Sequence, residues 1–190
     1  MSHAYVPRDT PNLVLAGFMG TGKSTVGSII ASRPGWDFVD TDALIEQMAG
    51  MPIKDIFASL GEDHFRSVER QACLQAANLR GTVVATGGGA LLDEESRRAL
   101  ERTGVVVLLT CDRETLAARL EESALRGERP LLGEDFTKRI DLLLLVRQAL
   151  YNSIALAVDT SRCTPQEAAT RVLDLYTQAV KERRVGACTV

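Results

Sequence analysis

The sequence predicts an α/β protein, a parallel sheet held between two layers of helices, and three observations lead there. Five short apolar runs alternate with longer segments of helical periodicity along the 190 residues. The run at 105–109 has no polar position, as a strand covered on both faces requires. The first run opens into Gly17-Phe18-Met19-Gly20-Thr21-Gly22-Lys23-Ser24-Thr25, which fits G-x-x-x-x-G-K-[ST], a phosphate-cradling loop between strand and helix.

Residues 1–10 read as a loose polar arm without the apolar segment of a secretory signal. Residues 12–16 predict the first strand and 23–32 the first helix, which Pro34-Gly35 breaks. A second strand at 36–39 ends in Asp40-Thr41-Asp42, and helical spacing resumes at 43–48 until Gly50 and Pro52. Residues 53–60 predict a short helix, and 62–79 a longer one after the break at Gly61. The third strand, 82–85, runs directly into Gly87-Gly88-Gly89. A helix at 93–102 follows, with Asp93 placed to cap it. After the strand at 105–109 another helix starts at Arg113. From 121 to 135 the chain turns polar, with Gly127, Pro130 and Gly133, and predicts a mobile lid. A long helix at 136–151, a fifth strand at 154–158, a last helix at 165–181 and a frayed tail at 182–190 complete the pattern. One domain accommodates all of it, with a core at about 12–181.

Bulk composition narrows the function. The net charge is −3 with no long basic run, which argues against nucleic acid as the main partner. No apolar stretch is long enough to cross a bilayer. Cys73, Cys111, Cys163 and Cys188 lack paired spacing, which suits free thiols in a reducing cytoplasm. His3 and His64 are too far apart in sequence to suggest a metal cluster.

Each residue of the glycine loop has a physical task. Glycines let successive N–H groups turn inward around an anion, and the helix that follows aims its positive end at the same place. Lys23 can reach the terminal phosphates of a nucleotide, and the Ser24 hydroxyl can ligate magnesium. Asp40 and Asp42 sit beyond a strand's carboxyl end, where open α/β sheets bind ligands. Persisting strand geometry would put both carboxylates on one side, to hold magnesium through water or accept a proton. Capping of the next helix by Thr41 or Asp42 is the alternative. No acidic residue ends the third strand, so magnesium falls to Ser24 and Asp40.

Two arginines stand out on helical wheels. On the 62–79 helix, Phe65, Val68, Ala72 and Ala76 form one stripe, with Glu69 inside it and Arg66 beside it. Arg66 has Glu62 and Glu69 at neighbour spacing. That could be a surface pair worth a few tenths of a kcal/mol. It could instead be relief for a buried glutamate, fixing an arginine that then receives a ligand carboxylate. Arg147 lies within the stripe of Ile140, Leu143, Leu144 and Tyr151, where a guanidinium calls for an anion unless it snorkels to the helix end. Gly87 to Gly89 would let backbone approach a ligand closely. Arg126 and Arg129 fall in the predicted lid, which could close over a transferring phosphate or remain a solvated loop.

Taken together, the set resembles the shikimate kinases. The resemblance rests on the glycine loop, Asp40-Thr41-Asp42, Ile56-Phe57 before Gly61-Glu62, Phe65-Arg66 with Glu69, and Gly87-Gly88-Gly89. It continues through Arg129-Pro130-Leu131-Leu132, Arg147 with Leu150-Tyr151, and Val158-Asp159-Thr160. It implies a nucleoside-monophosphate-kinase-like, three-layer P-loop fold with strand order 2-3-1-4-5 and a substrate-binding region at about 42–79. It also implies transfer of the ATP γ-phosphate to the 3-hydroxyl of shikimate, towards aromatic amino acids; the chain is expected to be a cytoplasmic monomer. Carried over by residue, Gly20, Thr21, Gly22, Lys23, Ser24, Thr25 and Arg129 would hold the phosphates, with Arg119 and Pro165 flanking adenine. Ser24 and Asp40 would serve magnesium, and Asp42 would hold and deprotonate the acceptor hydroxyl. Arg66 and Arg147 would clamp the acid, Glu69 would orient Arg66, and Phe57, Phe65, Gly88 and Gly89 would line the pocket. Two departures mark this chain: a longer segment between Arg119 and Arg129, and Gln148-Ala149 where the family often has proline. A gluconate kinase would share the loop but lack the Phe-Arg pair and the Arg147 stripe; a silent nucleotide-binding regulator is the non-enzymatic alternative.

Overall fold

The computed structural model describes residues 10–125 and 136–187. The sheet contains β1 (Asn12–Gly17), β2 (Asp37–Asp40), β3 (Thr82–Ala85), β4 (Gly104–Thr110) and β5 (Ala157–Asp159). Their order is β2-β3-β1-β4-β5 and every pairing is parallel. The helices among the described residues are α1 (Lys23–Ala31), α2 (Thr41–Ala49), α3 (Ile53–Ser59), α4 (Gly61–Ala77), α5 (Glu94–Thr103), α6 (Arg113–Leu125), α7 (Phe136–Ser153) and α8 (Pro165–Ala187).

The central strand shows why there are three layers. Leu13 and Leu15 of β1 point to one face, where Val26 and Ile30 of α1 and Ala169 and Val172 of α8 cover them. Val14 and Ala16 point to the other, against Cys73 and Ala76 of α4 and Leu100 of α5. Each of these β1 residues is at most 1% exposed, the mark of a strand buried on both faces. The buried Asn12 fixes the base of β1: its amide donates to the Leu79 carbonyl at 2.8 Å and its oxygen accepts from Thr82 N at 3.1 Å. The edge strand β2 is more open, and Trp36, expected to begin it, packs edge-on against Tyr176 at 5.3 Å instead.

Because β1 pairs with β3 on one side and β4 on the other, connections diverge at its carboxyl end, which is where a doubly wound sheet opens a crevice. Several boundaries differ from expectation. The helix from Arg113 extends to Leu125, so the polar stretch begins helically; residues 126–135, with Arg126 and Arg129, lie outside the described residues. Helix α7 runs to Ser153 and closes with Ile154 N on the Tyr151 carbonyl, so β5 starts at Ala157. Helix α8 continues past Lys181 to Ala187. Thr10, placed in the loose arm, is anchored by Gly81 N on its carbonyl at 2.9 Å. Cys73, Cys111 and Cys163 are free thiols, and Cys188 lies outside the described residues. Among the described residues no helix is long and apolar enough to cross a membrane.

Candidate active site

The glycine loop turns at the carboxyl end of β1. Gly22 caps α1 with φ 91°, a left-handed conformation that a side chain would strain. The first N–H groups of α1, which have no partner inside the helix, stand at the loop. Lys23, 9% exposed, donates through Nζ to the carbonyls of Gly17 and Phe18, each at 2.9 Å. Residues 20–25, Arg119 and Pro165 share the lining of one cavity of about 540 Å³. Across it Arg119 donates to the Thr160 carbonyl at 2.7 Å, to Thr160 Oγ1 at 3.1 Å and to the Gly20 carbonyl at 3.4 Å. Every sequence-assigned nucleotide residue except Arg129, which is outside the described residues, thus meets in one space.

At its mouth Ser24 Oγ donates to Asp40 Oδ2 at 2.5 Å. Asp40 and Asp42 do not share one side of a strand, because the strand ends at Asp40. Its Oδ1 accepts from Asp42 N at 3.0 Å and caps α2, a task expected of Thr41 or Asp42. Asp42 thereby enters the first helical turn and faces the glycine run after β3. A hydroxyl beside an oriented carboxylate suits a hard cation that keeps most of its water. Among the described residues no three His, Cys, Asp or Glu side chains gather into a separate metal site.

The glycine run organises the other half. A methyl group on Gly87 would sit 2.7 Å from Asp42 Oδ1 and 3.0 Å from Glu69 Oε1. On Gly88 it would sit 3.0 Å from Arg147 Nη1, and on Gly89 3.4 Å from Arg66 Nη1 and 3.6 Å from Arg147 Nη2. Asp42, Glu69, Arg66 and Arg147 therefore converge on three residues whose missing side chains leave them room. Arg66 Nη1 donates to Glu69 Oε2 at 2.7 Å, and Nη2 to Glu62 at 3.1 Å. Burial, the largest single influence on Arg66, works against its charge; Glu69 and then Glu62 outweigh it and hold the guanidinium above its ordinary value. Glu69 is 5% exposed, so Arg66 relieves a buried charge rather than merely decorating the surface.

Arg147 is 7% exposed, which excludes snorkelling. Its Nε and Nη1 are sealed from solvent and have no hydrogen-bond partner among the described residues. Phe65 is buried and stacks on the half-open Phe57 at 4.5 Å, giving this side an apolar wall, with Arg66 over the Phe65 ring at 5.1 Å.

Four residues that stand in the quoted motifs knit the halves together through contacts the sequence did not suggest. Thr41, fully buried, accepts from Gly87 N at 2.8 Å and pins the glycine run to α2. The Thr160 hydroxyl lies 3.2 Å from the Thr21 carbonyl and 2.9 Å from the Thr110 carbonyl. Phe18 sits under Arg147, and Tyr151 Oη donates to the Gly88 carbonyl at 3.2 Å. Burial pushes the Tyr151 phenol above its ordinary value and keeps that donor protonated. Helical spacing puts Tyr151 near Arg147; Phe18, Thr41 and Thr160 stand in motifs, but their partners are distant in sequence.

Known proteins are similar to this chain in sequence and fold. The family model for shikimate kinase matches residues 19–177. A shikimate kinase of Caldanaerobacter subterraneus subsp. tengcongensis is 40% identical over 166 residues, covering 87% of this chain and 95% of the relative. A solved shikimate kinase from Acinetobacter baumannii, in complex with shikimate, superposes with a TM-score of 0.81 at 32% identity, covering 90% of this chain and 96% of that one. A gluconokinase from Sinorhizobium meliloti reaches a TM-score of 0.58 at 20% identity over 93% of this chain and 99% of that one, a likeness of fold alone. With a parallel sheet of order 2-3-1-4-5 and a family match over most of its length, the chain belongs to the shikimate kinase family of ATP-dependent phosphotransferases.

Proposed function

We propose that this chain transfers the γ-phosphate of ATP to the 3-hydroxyl of shikimate, giving shikimate 3-phosphate and ADP in the shikimate pathway, as a cytoplasmic monomer of one kinase domain. A single arrangement supports it: the convergence of Asp42, Arg66 and Arg147 on the glycine run beside the phosphate loop. Two guanidinium groups next to one carboxylate describe a place for a small acid that also presents a hydroxyl.

The loop amides and Lys23 hold the triphosphate, and Arg119 and Pro165 border the base. Ser24 and Asp40 would hold magnesium, which when bound neutralises phosphate charge. Arg66 and Arg147 take the acid's carboxylate as planar forks, Glu69 fixes Arg66 in place, and the Phe57–Phe65 pair covers the apolar side of the ring. Asp42 receives the proton of the attacking hydroxyl, and Arg129 serves the transferring phosphate. Positioning and charge neutralisation supply most of the rate in such a reaction.

The test is ADP release with ATP and magnesium on shikimate, quinate, gluconate and nucleoside monophosphates. Turnover on shikimate far above the rest is expected. Turnover on gluconate with none on shikimate would reassign the substrate, and tight ATP binding without turnover on any acceptor would indicate a regulator.

A further inference from the structure

We infer that Phe18, the second residue of the phosphate loop, is a positioning residue for Arg147; this rests on the shikimate reading above. The Arg147 guanidinium carbon lies 5.0 Å from the centroid of the Phe18 ring, within the range of a cation–π contact. Such contacts gain strength where the cation is desolvated, and this one is: two of the three nitrogens are sealed and have no hydrogen-bond partner among the described residues. The platform is itself immobile. Phe18 is 2% exposed and packs with Leu116 and Leu120 of α6 and Ile140 of α7.

The glycine run bounds the guanidinium on another side. Nη1 lies against Gly88 and Nη2 against Gly89, and Gly88 also adjoins Met19 N and the Gly17 carbonyl. The guanidinium thus lies between Phe18 of the phosphate loop and the glycine run, with Tyr151 also beside it. An aliphatic residue at position 18 would fill the volume without offering a negative face. The guanidinium would then lose its orientation, and the clamp would have to be ordered when the acid binds.

Phe18→Leu tests this. The KM for shikimate is expected to rise roughly fivefold, as a desolvated cation–π contact predicts, while kcat and the KM for ATP stay within about twofold. In a Phe18→Leu, Arg147→Ala double variant, kcat/KM for shikimate should match that of Arg147→Ala alone. Site-specific replacement of Phe18 by mono-, di- and trifluorinated phenylalanine preserves shape while draining the negative face, and carries the test if Phe18→Leu fails to fold. The KM for shikimate should climb with fluorination while the melting temperature hardly moves. A flat KM along that series, with Arg147→Ala still raising it, overturns the role of Phe18 alone. An unchanged KM in Arg147→Ala overturns the carboxylate clamp itself.

Discussion

Asp42 and the glycine beside it divide the chemistry from its scaffold. Asp42→Asn keeps the shape and removes the proton acceptor, so kcat should fall by roughly 10² to 10⁴ with ATP affinity nearly intact. Nucleotide binding and turnover measured side by side check this; unchanged turnover would remove Asp42 from the reaction. Gly87→Ala makes a complementary point. Its new methyl would meet Asp42 Oδ1 at 2.7 Å and the buried Glu69 Oε1 at 3.0 Å, and would displace both carboxylates. Both thermal stability and kcat should drop, and a variant with full turnover would show that the placement of Asp42 matters little. Glu69 and Arg147 were legible before any coordinates, because a charge inside an apolar helical stripe is visible on a wheel. The long-range contacts of Thr41 and Thr160 were not. Their hydroxyls bond backbone 46 and 139 residues away, and nothing local announces a partner at that distance.

At the level of elements, the caps decide more than propensity does. Asp93 accepts from Ser96 N at 2.9 Å and starts α5, as its position in the sequence suggested. Arg70 beside it, together with Ser96, holds its carboxyl down at about 2, burial opposing. A folded-state value below the ordinary 3.8 means that this carboxylate stabilises the protein above pH about 4 and ceases to as pH falls through about 2. Asp93→Ala should lose about 1 kcal/mol of stability at neutral pH. Denaturant unfolding of the two proteins should show that gap closing between pH 4 and 2; a constant gap would exclude the charged cap. Asp40 shows the opposite case. Its carboxylate turns the chain into α2 one residue before strand alternation could place Asp42, so the two carboxylates reach the crevice through a cap and a first helical turn, not along a strand. The short β5 began later than expected because α7 kept the residues before it. An edge strand bonded to one neighbour has little to set against a helix of eighteen residues.

For the molecule as a whole, alternation of apolar strands with helices was enough to foretell a parallel sheet in three layers. Strand order was not available from periodicity and came from the family resemblance; it matters because it places the crevice between β3 and β4, at the end of β1. The candidate site gathers at that point: the loop from β1, Asp40 from β2, the glycine run from β3 and Thr160 after β5 all emerge at the same edge. Two ligands bound there should each stabilise the fold. ADP or shikimate at one hundred times its dissociation constant should add about 2.7 kcal/mol, read as a shift in melting temperature. A shift with shikimate but none with gluconate would already separate the acids. The most direct measurement is a crystal structure with ADP and shikimate together. The carboxylate should lie within hydrogen-bond reach of both Arg66 and Arg147, with the 3-hydroxyl towards Asp42 and the diphosphate on residues 20–25. Shikimate lodged elsewhere, with neither guanidinium group touching its carboxylate, would contradict the proposed site.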